Sequence, residues 1–201
     1  MTPGPANESS PAPGLPAEPL QPGHYWKTPF YWEPGCPPPP EAGAVAFSSI
    51  TDEALRPLIG GLMASGTDAS DRFNVPRIGI DAAVEEVFDY LPRYFERDAG
   101  WWRVAIDAAG APLGFVLPVT FQDERCWKGG RPQGTILYMG VLPDCRGRGV
   151  GLQLVHEATR VLLGAKCWRV FCDTGTENAS MVKAFRDAGY REAAPWQRPL
   201  A

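Results

Sequence analysis

Apolar residues recur along the chain at two periods, one near 3.6 and one shorter. Leu55, Leu58, Ile59 and Leu62 are spaced by three and four, which gathers them on one helical face. Thr51 precedes them as a capping hydroxyl, with Asp52 and Glu53 at the positive end. Val84, Val87, Phe88, Leu91 and Phe95 make a second stripe and predict a helix over 81–96. Pro92 inside it should kink that helix or end it early. Residues 44–47, 101–106 and 113–121 read as strands, with a turn at 107–110 and a bulge or irregular end at Pro118. Residues 135–142 are almost wholly apolar, as expected of a strand covered on both faces. A helix over 149–164 follows, with Val150, Leu154, Ala158 and Val161 on one side. Next come a strand at 168–172 and a helix over 177–188, stopped by Gly189, with Tyr190 opening a last short strand. Residues 64–79 and 122–134 read as polar connections. The order β, α, α, β, β, β, α, β, α, β predicts a mixed α/β fold with helices on both faces of one sheet.

Composition changes this picture mainly at the N-terminus. Residues 1–41 hold 13 of the 22 prolines, which disfavours helix interiors and central strands there. We therefore divide the chain into an extension, 1–41, and a domain, 42–201. Up to about Pro22 the extension is also rich in Ala, Gly and Ser and reads as a mobile tail. Its second half carries His24, Tyr25, Trp26, Phe30, Tyr31 and Trp32, an aromatic density unusual for a tail. Docking on the domain is the expected use of segment 24–33, and partner binding the alternative.

The formal charge is −4, from 19 basic and 23 acidic residues, with no basic run, so no nucleic-acid partner is expected. No apolar run approaches the roughly 18–20 residues that span a bilayer. The first residues lack the basic start and apolar centre of a signal peptide. A cytoplasmic protein without a membrane partner is expected. Five cysteines without a CxxC pair, and only His24 and His156, predict reduced thiols and no metal site.

The sharpest chemical signal is Arg146-Gly147-Arg148-Gly149-Val150-Gly151 between an apolar strand and a helix. Glycines let successive backbone N–H groups point into one hollow, and the helix dipole faces the same hollow. Such a turn suits a pyrophosphate. It is no P-loop, since no Gly-Lys-Ser or Gly-Lys-Thr follows. Its alternating glycines and late position also depart from a dinucleotide fingerprint.

The stretch from Met139 to Gly151, followed by Leu152 and Leu154, resembles the acetyl-CoA motif of the GCN5-related N-acetyltransferase (GNAT) superfamily. That motif is Arg or Gln, two residues, Gly, one residue, then Gly or Ala; Arg146, Gly149 and Gly151 fill it. Asn178, followed by Phe185 and Gly189-Tyr190, resembles the family's next strand–helix motif, so the likeness covers about 150 residues. The resemblance implies a mostly antiparallel central sheet and a GNAT-like acyl-CoA N-acyltransferase fold. It implies acetyl-CoA as co-substrate, in an opening between the strands at 135–142 and 168–173. Met139, Val141 and Leu142 would face the pantetheine, and Arg146, Gly147, Arg148, Gly149, Val150 and Gly151 the pyrophosphate, with Asn178 on the far side. The implied reaction is direct attack on the thioester by a primary amine of a small molecule or peptide. A homodimer is compatible with the family.

Two features depart from the pattern. Phe185 stands where many relatives carry a proton-donating tyrosine, and only 12 residues follow Gly189, too few for the usual final strand pair. Tyr138, on the cofactor strand, is the substitute acid candidate, with a core aromatic as its plainer reading. Glu85 and Glu86 stand at the start of the second helix, a region that the resemblance places beside the acceptor; Glu85 is the candidate base, with a solvated helix face as the plainer reading of both. A GNAT-like module that binds acyl-CoA without catalysis, as a sensor or a partner-recruiting scaffold, is the alternative function. The aromatic segment 25–32 is expected to cover the unfinished sheet or the acceptor groove.

Overall fold

The structure, a computed structural model, describes residues 19–41, 43, 45–66 and 68–200. Most of the predicted tail, and Ala44 of the predicted first strand, lie outside the described residues. The elements are β1 (His24–Trp32), β2 (Ala46–Ser49), α1 (Asp52–Ala64), α2 (Ala69–Ile78), α3 (Ile80–Tyr94), β3 (Phe95–Glu96), β4 (Arg103–Ile106), β5 (Pro112–Phe121), β6 (Gln133–Val141), α4 (Val150–Gly164), β7 (Arg169–Gly175), α5 (Ala179–Asp187), β8 (Arg191–Glu192) and β9 (Trp196–Pro199). The strands form one sheet in the order β2-β4-β5-β6-β7-β1-β8, with β3 on β5 and β9 on β1. Only β6 and β7 pair in parallel; the other pairs are antiparallel. This is the mixed α/β architecture that the pattern predicts.

Each face of the sheet is covered by helices whose stripes were legible in the sequence. On one side Leu55, Ile59 and Leu62 of α1 and Val84 and Val87 of α3 pack with Trp102, Phe115 and Leu117. On the other, Val155 and Leu162 of α4 and Val182, Ala184 and Phe185 of α5 pack with Phe30, Val170 and Cys172. Thr51 caps α1 as expected, its hydroxyl oxygen accepting from Ala54 N at 3.3 Å. Pro92 is followed by only two more residues of α3. Pro118 marks a register shift between β5 and β6.

Two segments differ from expectation. The connection at 64–79 contains α2, capped by Asp68, whose carboxylate accepts from Ser70 N at 2.9 Å. Its only fully buried residue is Asp71, with Val75 and Ile78 packed half-buried on the same face, so its apolar period is too short to read. The second difference is β1, a strand inside the sheet drawn from the stretch ahead of residue 42. Its neighbours are β7 on one side and β8 and β9 on the other. Pro29 is tolerated for a definable reason. The N and C=O of a strand residue point to the same side, and the Pro29 carbonyl accepts from Ala193 N, between β8 and β9. The missing donor therefore falls where pairing is already interrupted. Phe30 is fully buried and stacks on Phe185 with ring centroids 4.9 Å apart. Gly189 ends the last helix turn at φ +77, where a Cβ would meet Pro37 Cδ at 2.9 Å, so the segment after β1 lies directly on this turn. No helix among the described residues is long and apolar enough to cross a membrane.

Candidate active site

β6 and β7 share only two register pairs, Gln133↔Arg169 and Gly134↔Val170, and then diverge. The cause lies on the other edge of β6. Between Val116 and Pro118, β5 has one residue, whereas β6 passes Leu137 and Tyr138 between their partners Ile136 and Met139. The extra residue is a bulge, which bends the strand that carries it. Leu137 and Tyr138 consequently both pack toward α1 and α3, while Ile136, Met139 and Val141 face α4 and its neighbours.

Beyond the bulge the backbone groups sort by side. Leu142 N donates to Leu113 O at 3.0 Å, so Leu142 is turned toward the β5 side. Alternation then aims the backbone of Val141 and Met139 into the gap beside β7. Arg146 Nε reaches the Val141 carbonyl at 3.4 Å from that side. Leu142 is thereby corrected: its N–H is spent on β5, and it lies outside the lining of the cleft.

The gap opens into a cleft of about 860 Å³. One end is the glycine turn. Gly147 and Gly149 both have φ +75, and Gly149, left-handed, is the N-cap of α4 without any side-chain cap. The first N–H groups of α4 thus have no capping side chain and border the cleft, a fit for an anion. Arg146, Gly147, Gly149, Val150 and Gly151 line the cleft. Arg148 does not: it is exposed and donates to Asp144 O at 2.9 Å. Asn178 lines the cleft and also caps α5, accepting from Met181 N at 3.3 Å.

The candidate catalytic residues separate. Tyr138 lines the cleft and donates to Asp71 Oδ2 at 2.6 Å. Burial, then the neighbouring Asp71, push the Tyr138 hydroxyl well above its ordinary range, so it keeps its proton. Glu85 is not in the cleft. It is more than half exposed and ion-paired to Arg56 of α1. Successive helix residues point about 100° apart, and the adjacent Glu86 is the one that lines the cleft. Phe185 lines the cleft, buried and without a proton to give. Cys172 also lines it, but burial pushes its thiol up to about 12. His156 and Cys145 lie outside the lining.

The sequence reading missed Asp71 and the residues around it. Asp71 is 7% exposed and lines the cleft. Burial raises its carboxyl from the ordinary 3.8 to about 6, against the lowering effect of the Tyr138 hydrogen bond. Across the cleft, Lys27 of β1 holds Asp173 of β7 at 2.6 Å. An apolar period could not have revealed Asp71, because its side chain is charged and α2 adds only Val75 and Ile78 to the core.

The sequence profile of the Acetyltransferase (GNAT) family matches residues 71–190. The chain belongs to the GNAT family. Solved structures of the same fold include a GCN5-related N-acetyltransferase from Sphaerobacter thermophilus, at 15% identity and TM-score 0.54, covering 88% of this chain and 52% of that one. A GNAT-family acetyltransferase from Colwellia psychrerythraea gives 13% identity and TM-score 0.54, over 87% of this chain and 54% of that one. A GCN5-related glucosamine N-acetyltransferase region in a fungal multi-domain GH3 β-N-acetylglucosaminidase gives 15% identity and TM-score 0.55, over 86% and 20%. The chain thus spans about half the length of the first two and a fifth of the third. No curated protein sequence matches it. The GNAT match runs from Asp71 to Tyr190 and so leaves out β1, β2, α1, β8 and β9.

Proposed function

We propose that the protein is an N-acetyltransferase that moves an acetyl group from acetyl-CoA to a primary amine by direct attack in a ternary complex. The observation that carries this reading is the opening between β6 and β7 that ends on the uncapped N-terminus of α4. The N–H groups of Gly147–Gly151 would hold the pyrophosphate, with Arg146 supplying positive charge from the cleft lining and Arg148 only from the exposed outer side of the turn. The backbone edge at Met139 and Val141 that faces the gap would take the pantetheine amides, in place of Arg146 at the Val141 carbonyl, and Asn178 would close the far side. A Met139 N–H aimed into the gap is placed to polarise the thioester carbonyl. The amine nitrogen then forms its bond to the carbonyl carbon, the C–S bond breaks, and the electron pair leaves on sulfur. The acceptor is an amine-bearing small molecule or peptide.

One observation favours a second reading, an acyl-CoA-binding module without turnover: Phe185 offers the departing thiolate no proton. Thermal unfolding with and without acetyl-CoA, in wild type and in Gly149→Glu, tests the site both readings share. Saturation at about 100 times the dissociation constant adds roughly 2.7 kcal/mol to stability. Wild type should show that upward shift, and the folded variant should not. Absence of any shift at millimolar acetyl-CoA rejects both readings. Release of free thiol on adding amines then separates catalysis from binding.

A further inference from the structure

We infer that Asp71 binds the acceptor as an ammonium ion and takes its first proton, with Tyr138 as the positioning residue that aims it. This deepens the acetyltransferase reading and rests on it. The site is a single buried carboxylate with one oxygen left over. Asp71 Oδ2 accepts from the Tyr138 hydroxyl at 2.6 Å, while Oδ1 has no hydrogen bond among the described residues. Asp71 makes no ion pair there either. The nearby cations are engaged elsewhere, Lys27 with Asp173 at 2.6 Å and Arg72 with Glu177 at 3.2 Å. A carboxylate in this setting, more than nine-tenths buried and bordering the cleft, has no directly paired cation among the described residues, and feels Arg72 and Lys27 only at longer range. A protonated amine supplies one.

The surroundings fit a cation attached to an apolar body. α2 and α3 bring Phe73, Glu86 and Tyr90 to the same cleft. Aromatic faces attract ammonium groups and stack on flat apolar ones. The charged and titratable groups around Asp71 are Asp68 and Arg72 on α2, Tyr138 on β6, and Lys27 on β1. Tyr25 of β1 faces Asp68 and Ser70. Asp68 favours the cation as well, so the local balance is acidic once Lys27 and Arg72 are paired away.

The step balances. One ammonium proton passes to Asp71, leaving a neutral amine. Its nitrogen bonds to the thioester carbon, and the C–S bond breaks toward sulfur. The second nitrogen proton ends on that sulfur as the thiol, and Asp71 returns its proton to solvent. Because Asp71 must start ionised, kcat/KM should fall as pH drops through its titration near 6.

Phenethylamine is the probe, with phenethyl alcohol as its uncharged counterpart, and free thiol is the readout. Wild type should acetylate the amine and show the acid limb. Asp71→Asn should lose at least about a hundredfold in kcat/KM and lose that limb, while keeping its acetyl-CoA thermal shift. Tyr138→Phe should keep part of the activity but move the limb to higher pH, since its hydrogen bond is what lowers the Asp71 titration. A merely structural tyrosine would leave the limb in place. If Asp71→Asn retains both rate and limb, or if a wild type that binds acetyl-CoA ignores phenethylamine, this inference is overturned and the cofactor site stands. A wild type that does not bind acetyl-CoA overturns the reading beneath it.

Discussion

Burying the Asp71 carboxylate works against folded-state stability, and that effect can be measured apart from catalysis. Its carboxyl is raised from 3.8 to about 6, so the folded state holds the proton more tightly than the unfolded chain. Stability from this group is full below pH 3.8 and is lost as pH rises through about 6. Asp71→Asn keeps an oxygen for Tyr138 and removes the titration. At pH 7 to 8 the variant should melt higher than wild type, by the equivalent of roughly 1–3 kcal/mol, and at pH 4 the advantage should disappear. Melting curves across that range decide it. A variant that is less stable at every pH would show that Asp71 is held for structure, whereas higher stability with lost turnover marks a carboxylate kept for its chemistry.

At the scale of elements, α2 and the β6 bulge bring Asp71 and Tyr138 together. The end of α2 depends on Asp68, which caps it at 2.9 Å and raises the Asp71 titration by like charge. The two roles separate by substitution. Asp68→Asn preserves a capping oxygen, so the melting temperature should hold while the acid limb of kcat/KM moves to lower pH. Asp68→Ala should move the limb the same way and also cost about 1 kcal/mol of stability, read by chemical denaturation. Equal behaviour of the two variants would refute this division of roles. Helices with apolar stripes, α1, α3, α4 and α5, were legible in the sequence because their buried faces are hydrophobic. α2 was not, because the residue it buries is charged, and a period computed on apolarity cannot register it. The glycine turn was legible because its chemistry is local. Leu142 and Glu85 were misplaced because their orientation is set by neighbours distant in sequence, Leu113 on β5 and Arg56 on α1.

At the scale of the molecule, β1 joins the two halves of the site. Segment 24–33 was expected to dock on the domain or cover the unfinished sheet, although its prolines argued against a central strand, and His24–Trp32 occupies the position next to β7 as a paired strand. The residues after Gly189 do form two strands, contrary to expectation, but β8 and β9 are only two and four residues long and both pair with β1 rather than with β7. β1 therefore carries the load of three neighbours. Phe30 packs in the core against Phe185, and truncating a buried phenylalanine costs about 3–5 kcal/mol. Lys27 from the same strand fixes Asp173 on the cleft wall. Removing residues 1–41 should thus do more than lower the melting temperature. It should expose the β7 edge to pairing with other chains, leave β8 and β9 without a partner, and release Asp173. The expected result is a truncated chain that self-associates in size-exclusion chromatography and melts without cooperativity. Phe30→Ala should give a milder version, a chain of reduced stability that elutes like the full chain and still shifts with acetyl-CoA, because the glycine turn is built between β6 and α4 rather than on β1. A truncated chain that elutes without added self-association and melts like the full chain would mean that the sheet closes without β1, and that the family match from Asp71 to Tyr190 marks the whole folding unit.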